Sequence, residues 1–256
     1  MSASPTDPAL ETVGLSRFFG AYQVTREVNF RLPRGARYAL IGPNGAGKST
    51  LVNLLTGILR PSAGTVRLNN QDVTSLRTEE RVGRGLVRTF QINTLFPDFT
   101  PLEAVSLVIV QKRGKAGQLL RGVRRNRQEI DEGAALLDRL GLLPDAMRPT
   151  RDLAYGRQRL LEIALALAAE PTVLLLDEPA AGVPPRESAE LFEVIAGLPS
   201  DVAVLFIEHD MELVFRFAQR IAVLVAGAII REGAPDEIAR DPEVRRVYLG
   251  SGGAHG

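Results

Sequence analysis

One run of the sequence carries the residue types that hold phosphate groups. Residues Gly42 to Thr50 have the sequence GPNGAGKST, which matches the pattern G-x-x-x-x-G-K-[ST] at every fixed position. Glycines let backbone N–H groups turn toward phosphate oxygens, Lys48 can reach the β and γ phosphates, and the Ser49 hydroxyl can ligate Mg²⁺. The run therefore predicts a site for a nucleoside triphosphate. Its candidate binding residues are Gly42, Asn44, Gly45, Gly47, Lys48, Ser49 and Thr50.

Two acids follow a short apolar run at residues 173–176, which has the pattern of a buried strand. We expect Asp177 to belong to the Mg²⁺ shell opposite Ser49, and Glu178 to polarise the attacking water. An ordinary strand end with two solvated acids is the alternative. The presence of the phosphate-binding run argues against it.

Two single residues are further candidates. His209 follows an apolar run at 202–207, which would place it on the edge where open α/β sheets bind ligands, so we predict contact with the γ phosphate. A lone histidine is more often structural. Gln91 follows the run at 85–90, and its amide could contact both Mg²⁺ and the attacking water, although a glutamine at a strand end is a weak signal by itself.

A glycine at the start of a predicted helix suggests an anion site. Gly156 lies in the run Leu153 to Arg159, just before a helix predicted at 160–169. Free N–H groups and the positive end of the helix dipole favour an anion there. The chain's own phosphates are already assigned, so the predicted anion is the γ phosphate of a second copy.

The remaining pattern indicates an α/β fold. The apolar runs at 36–41, 85–90, 173–176 and 202–207 alternate with helical segments, as in a layered α/β core. Residues 13–30 and 65–73 alternate polar and apolar types, which predicts an antiparallel β subdomain. Helical patterns take over from about residue 95 to 168, so we expect an inserted α-helical subdomain there.

Composition limits the possible functions. The chain has 256 residues, with 31 basic and 30 acidic residues, so its net charge gives no reason to expect nucleic acid as a partner. It has no cysteine, which excludes disulfides and zinc–thiolate sites. No run reaches the roughly 20 apolar residues of a transmembrane helix, and the start does not resemble a signal peptide. We expect residues 1–10 and 251–256 to be disordered.

One basic stretch has two interpretations. It is either a solvated surface loop, which we favour, or a contact for anionic lipid or an acidic partner. Its residues are Lys112, Arg113, Lys115, Arg121, Arg124, Arg125 and Arg127.

These motifs, in this order, resemble those of the ATP-binding-cassette (ABC) ATPases, over roughly residues 13–250. The resemblance implies a P-loop NTPase domain at 11–250 that binds ATP and Mg²⁺. It also implies a head-to-tail dimer in which each phosphate loop faces the partner's signature, here Ala154, Tyr155 and Gly156. Phe19 matches the aromatic residue that stacks on adenine, with a core phenylalanine as the alternative.

Finer matches resemble the ATP-binding subunits of branched-chain amino-acid importers. They are the segments RTFQ at 88–91, LAYG at 153–156, PAAG at 179–182, IEHDM at 207–211 and VYLG at 247–250. This resemblance implies transmembrane permease subunits, a second ABC ATPase subunit (the same chain or a paralogue), and indirectly a periplasmic solute-binding protein. The location it implies is the cytoplasmic face of a bacterial inner membrane.

Two departures from the wider family stand out. Its signature has serine and glycine where this chain has Ala154 and Tyr155, so a hydroxyl that would bond the partner's phosphate is absent. The segment 180–183 after the acids lacks the family's usual aspartate, which puts communication between the two sites through it in doubt.

Three other functions fit the sequence less well. An ATPase that drives lipopolysaccharide extraction would have a glycine pair in place of Tyr155-Gly156. A soluble ABC ATPase acting on DNA or ribosomes would need a coiled-coil insertion or a second cassette. A phosphate-loop kinase or GTPase would leave the signature unexplained, and the guanine-reading Asn-Lys-x-Asp is absent.

Overall fold

The computed structural model describes residues 7–89, 95–114 and 127–249. The chain divides into two compact units, the first formed by 1–86, 172–179 and 196–256, and the second by 87–171 and 180–195. The α/β class with an inserted helical subdomain is thus confirmed. The second unit, however, is larger than the predicted 95–168, because the chain returns to it after the acid pair.

The strands form two sheets, and all of their residues belong to the first unit except the last two of β6. The antiparallel sheet has the order β2-β1-β4-β5, and the larger sheet has the order β10-β9-β3-β8-β7-β6. The first consists of β1 (Pro8–Phe19), β2 (Tyr22–Pro33), β4 (Ala63–Leu68) and β5 (Gln71–Asp72). The second consists of β3 (Arg37–Ile41), β6 (Leu86–Arg88), β7 (Val173–Asp177), β8 (Ala203–Ile207), β9 (Arg220–Val225) and β10 (Ala228–Gly233).

The start of β1 corrects one expectation. The strand begins at Pro8, inside the predicted disordered segment 1–10, and Pro8 pairs with Pro33 of β2. The polar composition of the first residues hid this, although Ala9 and Leu10 are completely buried. Residues 1–6 and 250–256 lie outside the described residues.

Parallel pairing brings several strand ends to one edge of the larger sheet. β8 is parallel to both β3 and β7, with Leu40 and Asp177 each paired to Ile207. The residues that follow these strands therefore begin at the same edge. β3 and β8 are buried along their whole lengths, as expected for strands covered on both faces.

Helices complete both units. Those of the first unit are α1 (Lys48–Thr56), α2 (Thr78–Gly83), α7 (Met211–Phe217), α8 (Pro235–Arg240) and α9 (Pro242–Leu249). Those of the second are α3 (Pro101–Lys112), α4 (Arg127–Arg139), α5 (Tyr155–Ala168) and α6 (Pro185–Ala196). α3 packs against both α4 and α5. Among the described residues, no helix has the length and apolar character needed to cross a bilayer.

The first two residues of the basic stretch are paired inside the second unit. The Lys112 ammonium donates to the Ala169 carbonyl at 2.8 Å, and the Arg113 guanidinium donates to the buried Glu129 carboxylate at 3.0 Å. These two side chains therefore have partners within the chain. Residues 115–126 of the stretch lie outside the described residues.

A buried arginine fixes the carboxyl end of α1. Arg81, only 1% exposed, donates to the carbonyl oxygens of Leu54 and Leu55 at 2.7 and 2.6 Å, and to those of Thr74 and Leu76 at 2.9 and 3.1 Å. The first two carbonyls belong to the last turn of α1, where a cation is favoured by the helix dipole. Burial lowers the pKa of Arg81 to about 10, and Asp72 counteracts this effect. Arg81 therefore supports the helix that follows the phosphate loop.

We predict that Arg81→Met lowers the free energy of unfolding by about 3 kcal/mol, because carbonyls bonded to a buried cation lose their donor. Urea denaturation would measure the change. Arg77→Met is the matched control, since the Arg77 side chain is 76% exposed and pairs with Glu80 at 3.5 Å. Its effect should be about 0.5 kcal/mol or less. Equal losses in the two variants would show that the carbonyl contacts of Arg81 contribute nothing.

Candidate functional site

The phosphate-binding run forms a loop between β3 and α1. Gly45 and Gly47 have φ of 80° and 100°, in the left-handed region that favours glycine. At Gly42 a Cβ atom would lie 2.2 Å from the Leu224 carbonyl oxygen, so no larger residue fits. Gly47 also caps α1, whose first residue is Lys48. The glycines of the run are thus required by the backbone path and by close packing.

Two other segments hold this loop in place. The Gly227 amide, in the β9–β10 turn, donates to the Ala46 carbonyl at 2.9 Å, and the Arg26 amide of β2 donates to the Gly227 carbonyl at 2.8 Å. A Cβ atom on Gly227 would lie 2.2 Å from the Val24 carbonyl oxygen. The backbones of the loop, of β2 and of the β9–β10 turn are therefore in direct contact.

Lys48 is buried within the loop, at 8% exposure. Its ammonium donates to the carbonyl oxygens of Gly42 at 2.6 Å and Pro43 at 3.2 Å. Burial lowers the pKa of Lys48, while the nearby charges of Glu178 and Asp177 act to raise it. The lysine is a cation partly removed from water beside two acids.

The acid pair ends β7. Asp177 is the last residue of the strand, and Glu178 has a φ of 49°, which is uncommon for a residue with a side chain. The Glu178 amide donates to the Ile207 carbonyl at 3.0 Å, and this bond helps to hold the strained backbone. Such strain is concentrated at functional sites.

His209 meets Glu178 at this edge. The His209 Nε2 atom lies 3.0 Å from Glu178 Oε1, and about half of each side chain is exposed. The two groups come from neighbouring parallel strands, β8 and β7. At this distance the two groups can share a proton.

The loop, Glu178 and His209 surround one cavity of about 340 Å³. This volume suits a compact ligand such as a nucleotide. Its lining consists of Val24, Asn44, Gly45, Ala46, Gly47, Lys48, Ser49, Thr50, Glu178 and His209. Val24 was missed by the sequence analysis, since an apolar residue within an alternating strand carries no chemical signal.

The remaining candidates are not among the lining residues. Gly42 contributes a carbonyl to Lys48, and Asp177 directly precedes the lining residue Glu178. Gln91 lies outside the described residues. Ala154, Tyr155 and Gly156 belong to the second unit.

Phe19 is not a core residue, and that alternative is wrong. It ends β1 beside the turn to β2, is 46% exposed, and has the Arg17 guanidinium 4.7 Å from its ring centroid. An exposed aromatic ring is available for stacking on a planar ligand.

The signature lies inside a helix and not ahead of it. α5 begins at Tyr155, earlier than the predicted 160, with Ala154 as an N-cap that makes no side-chain bond. Gly156 is the second residue of α5, in the first turn, where backbone amides have no acceptor within the helix. A Cβ atom on Gly156 would lie 2.2 Å from a carboxylate oxygen of Glu187, so a larger residue here would require the Glu187 side chain to move.

Comparisons with known proteins show the family of this chain. The model of a family described as ABC transporter matches residues 25–181, and that of a family described as branched-chain amino acid ATP-binding cassette transporter matches residues 229–254. The high-affinity branched-chain amino acid transport ATP-binding protein LivG of Escherichia coli K12 is 41% identical over 254 residues, covering 96% of this chain and 99% of LivG. Its counterpart BraF of Pseudomonas aeruginosa is 38% identical, with coverage of 95% and 98%.

Solved structures show the same fold. A structure of the ADP conformation of an ATP-binding cassette of an ABC transporter has a TM-score of 0.82 and 28% identity, covering 96% of this chain and 100% of its own. A dimeric post-hydrolysis cassette bound to ADP and Pi has a TM-score of 0.72 and 25% identity, covering 88% and 98%.

We predict that Phe19→Ala weakens ATP binding by about tenfold, because stacking on a base contributes roughly 1–3 kcal/mol. Phe18→Ala is the matched control, since Phe18 is 42% exposed and, because successive side chains of a strand alternate, is expected on the opposite face of β1 from Phe19. Equilibrium binding with a fluorescent ATP analogue measures both. Equal affinities for the two variants would contradict stacking by Phe19.

Proposed function

The chain belongs to the ATP-binding proteins of ABC transporters, and we propose that it powers an importer of branched-chain or related amino acids. It is an ATPase of this family. The observation that carries the proposal is the cavity lined by Lys48, Glu178 and His209, in a chain similar to LivG over nearly its whole length. The match at residues 229–254 supports the choice of solute class.

We assign the phosphate contacts to the loop. Lys48 would exchange its bonds to the Gly42 and Pro43 carbonyls for the β and γ phosphates of ATP. Backbone amides of the loop and the amino end of α1 would hold the other phosphate oxygens. Phe19 would stack on the adenine.

The hard oxygen ligands near the cavity suit Mg²⁺, which usually takes one or two carboxylates together with phosphate oxygens. The Ser49 hydroxyl and the Asp177 carboxylate would hold the ion, with the Gln91 amide as a further ligand. When bound, Mg²⁺ neutralises charge that develops on the phosphates.

Glu178 would act as the general base. Its carboxylate would orient the attacking water and accept its proton, while His209 would hold the γ phosphate. The 3.0 Å separation of His209 Nε2 and Glu178 Oε1 keeps both groups within reach of one water molecule. The strained backbone of Glu178 would fix the direction of the carboxylate.

We further propose a head-to-tail dimer with a second cassette, either a copy of this chain or a paralogue. The first turn of α5, with Ala154, Tyr155 and Gly156, would face the γ phosphate held by the partner. The dimer would dock on transmembrane permease subunits at the cytoplasmic face of a bacterial inner membrane and be supplied by a periplasmic solute-binding protein.

The test of this proposal is Glu178→Gln, which keeps the shape of the side chain but removes the base. If ATP closes the dimer and hydrolysis reopens it, the variant should hydrolyse ATP at least about 100-fold more slowly and form a stable dimer with ATP. ADP should not support this dimer. Light scattering after size-exclusion chromatography measures the oligomeric state. The measurement is made on the single chain and again with a paralogous subunit where one is encoded nearby.

Glu27→Gln is the matched control, because Glu27 is also an exposed acid with a positive φ, of 44°, and lies outside the cavity lining. It should behave as wild type. A Glu178→Gln variant with normal turnover would remove Glu178 as the base. An inactive variant that never dimerises would contradict the dimer.

A further inference from the structure

A buried ion pair lies one turn behind the start of α5. Arg159 and Glu162 are 9% and 6% exposed, and Arg159 Nη1 donates to Glu162 Oε2 at 3.0 Å. The other terminal nitrogen, Nη2, donates to the Tyr155 hydroxyl at 3.1 Å. The guanidinium carbon also lies 5.3 Å from the centroid of the Tyr155 ring. One arginine thus joins a buried acid to a residue of the signature.

Burying this ion pair costs free energy, whereas apolar side chains would be enough to bury this face of α5. Burial raises the pKa of Glu162 to about 7, and Arg159 acts against that shift. Arg159 Nε and Glu162 Oε1 are buried atoms without a hydrogen-bond partner within the described parts of the chain. Buried ion pairs often contribute little net stability compared with apolar residues of the same volume. Stability alone therefore gives no reason for this pair.

The Tyr155 ring has a second neighbour. A Cβ atom on Gly182 would lie 3.3 Å from the Tyr155 hydroxyl oxygen and 3.4 Å from the ring, and Gly182 has a φ of 75°. Gly182 belongs to the segment 180–183, which follows Glu178 after a single proline. The Tyr155 ring thus lies beside the segment in which the wider family's aspartate is missing.

We propose that Arg159 is a positioning residue, which holds Tyr155 against Gly182 so that the first turn of α5 and the segment after the acid pair move together. The inference rests on the proposed function, in which this turn faces the partner's ATP. The bidentate guanidinium is suited to the task because it bonds two acceptors at once in a fixed plane. Movement at the partner's ATP would then reach Glu178 through Tyr155 and the segment 180–183, without the missing aspartate.

Three variants separate this role from a purely structural one. Arg159→Gln removes both contacts, and Arg159→Lys keeps a cation for Glu162 but cannot bond two acceptors in the same fixed geometry. Arg113→Gln is the matched control, because it also removes an arginine from a buried glutamate, Glu129, in the same unit.

The first readout is hydrogen exchange of the amides at 180–183 in the full chain without nucleotide. Both Arg159 variants should exchange faster there than wild type, and Arg113→Gln should not. The second readout is steady-state ATP hydrolysis, in which kcat should fall about fivefold in both Arg159 variants, with KM and ADP affinity within about twofold of wild type.

Unchanged exchange at 180–183, or faster exchange with an unchanged kcat, would overturn the proposal. Recovery of kcat by Arg159→Lys would also overturn it, because the ion pair alone would then be sufficient. A wild-type chain that does not hydrolyse ATP would contradict the proposed function instead. In that case the exchange data would still decide the role of Arg159. Unchanged exchange at 180–183 in the Arg159 variants would overturn that role, and faster exchange would support it.

Discussion

The buried ammonium of Lys48 is the interaction on which the site depends. A cation at 8% exposure requires polar partners, and here they are the carbonyl oxygens of Gly42 and Pro43 at 2.6 and 3.2 Å. The loop turns back toward the start of α1 and brings both carbonyls to the ammonium of its first residue. That turn needs the left-handed backbone at Gly45 and Gly47 and the close packing at Gly42. The chemistry of one side chain thus explains several glycines.

The sheet positions the groups to which we assign roles in ATP hydrolysis. Because β8 is parallel to both β3 and β7, the phosphate loop, the acid pair and His209 all lie at one edge of the sheet. The strain at Glu178 is local, but it is held by the hydrogen bond to Ile207 in the neighbouring strand. At the other end of α1, Arg81 satisfies the last carbonyls of the helix. The helix that begins with Lys48 is therefore anchored at both ends.

Much of this arrangement could be predicted from the sequence. The phosphate-binding run has fixed residue types at fixed spacing, and Asp177, Glu178 and His209 follow clear apolar runs. Contacts between distant segments could not be predicted in this way. Val24 enters the cavity through backbone packing against Gly47 and Gly227, which no local pattern records.

Helix and strand ends were the other source of error. α5 begins at Tyr155, whereas the apolar pattern becomes clear only after residue 160. β1 begins at Pro8 because it pairs with β2, and pairing partners are not visible in a single short segment. The contacts of Arg159 with Tyr155 and Glu162 could be suspected from their helical spacing, but their burial could not.

The most direct test of the account is the ATP affinity of the Lys48→Ala chain at equilibrium. Lys112→Ala is the matched control, since Lys112 is a partly exposed lysine bonded to the Ala169 carbonyl in the second unit. Charge-assisted bonds of about 1.5–3 kcal/mol predict a loss of about tenfold or more for Lys48→Ala and none for Lys112→Ala. A Lys48→Ala chain that is folded and binds ATP with wild-type affinity would contradict the role of the buried lysine.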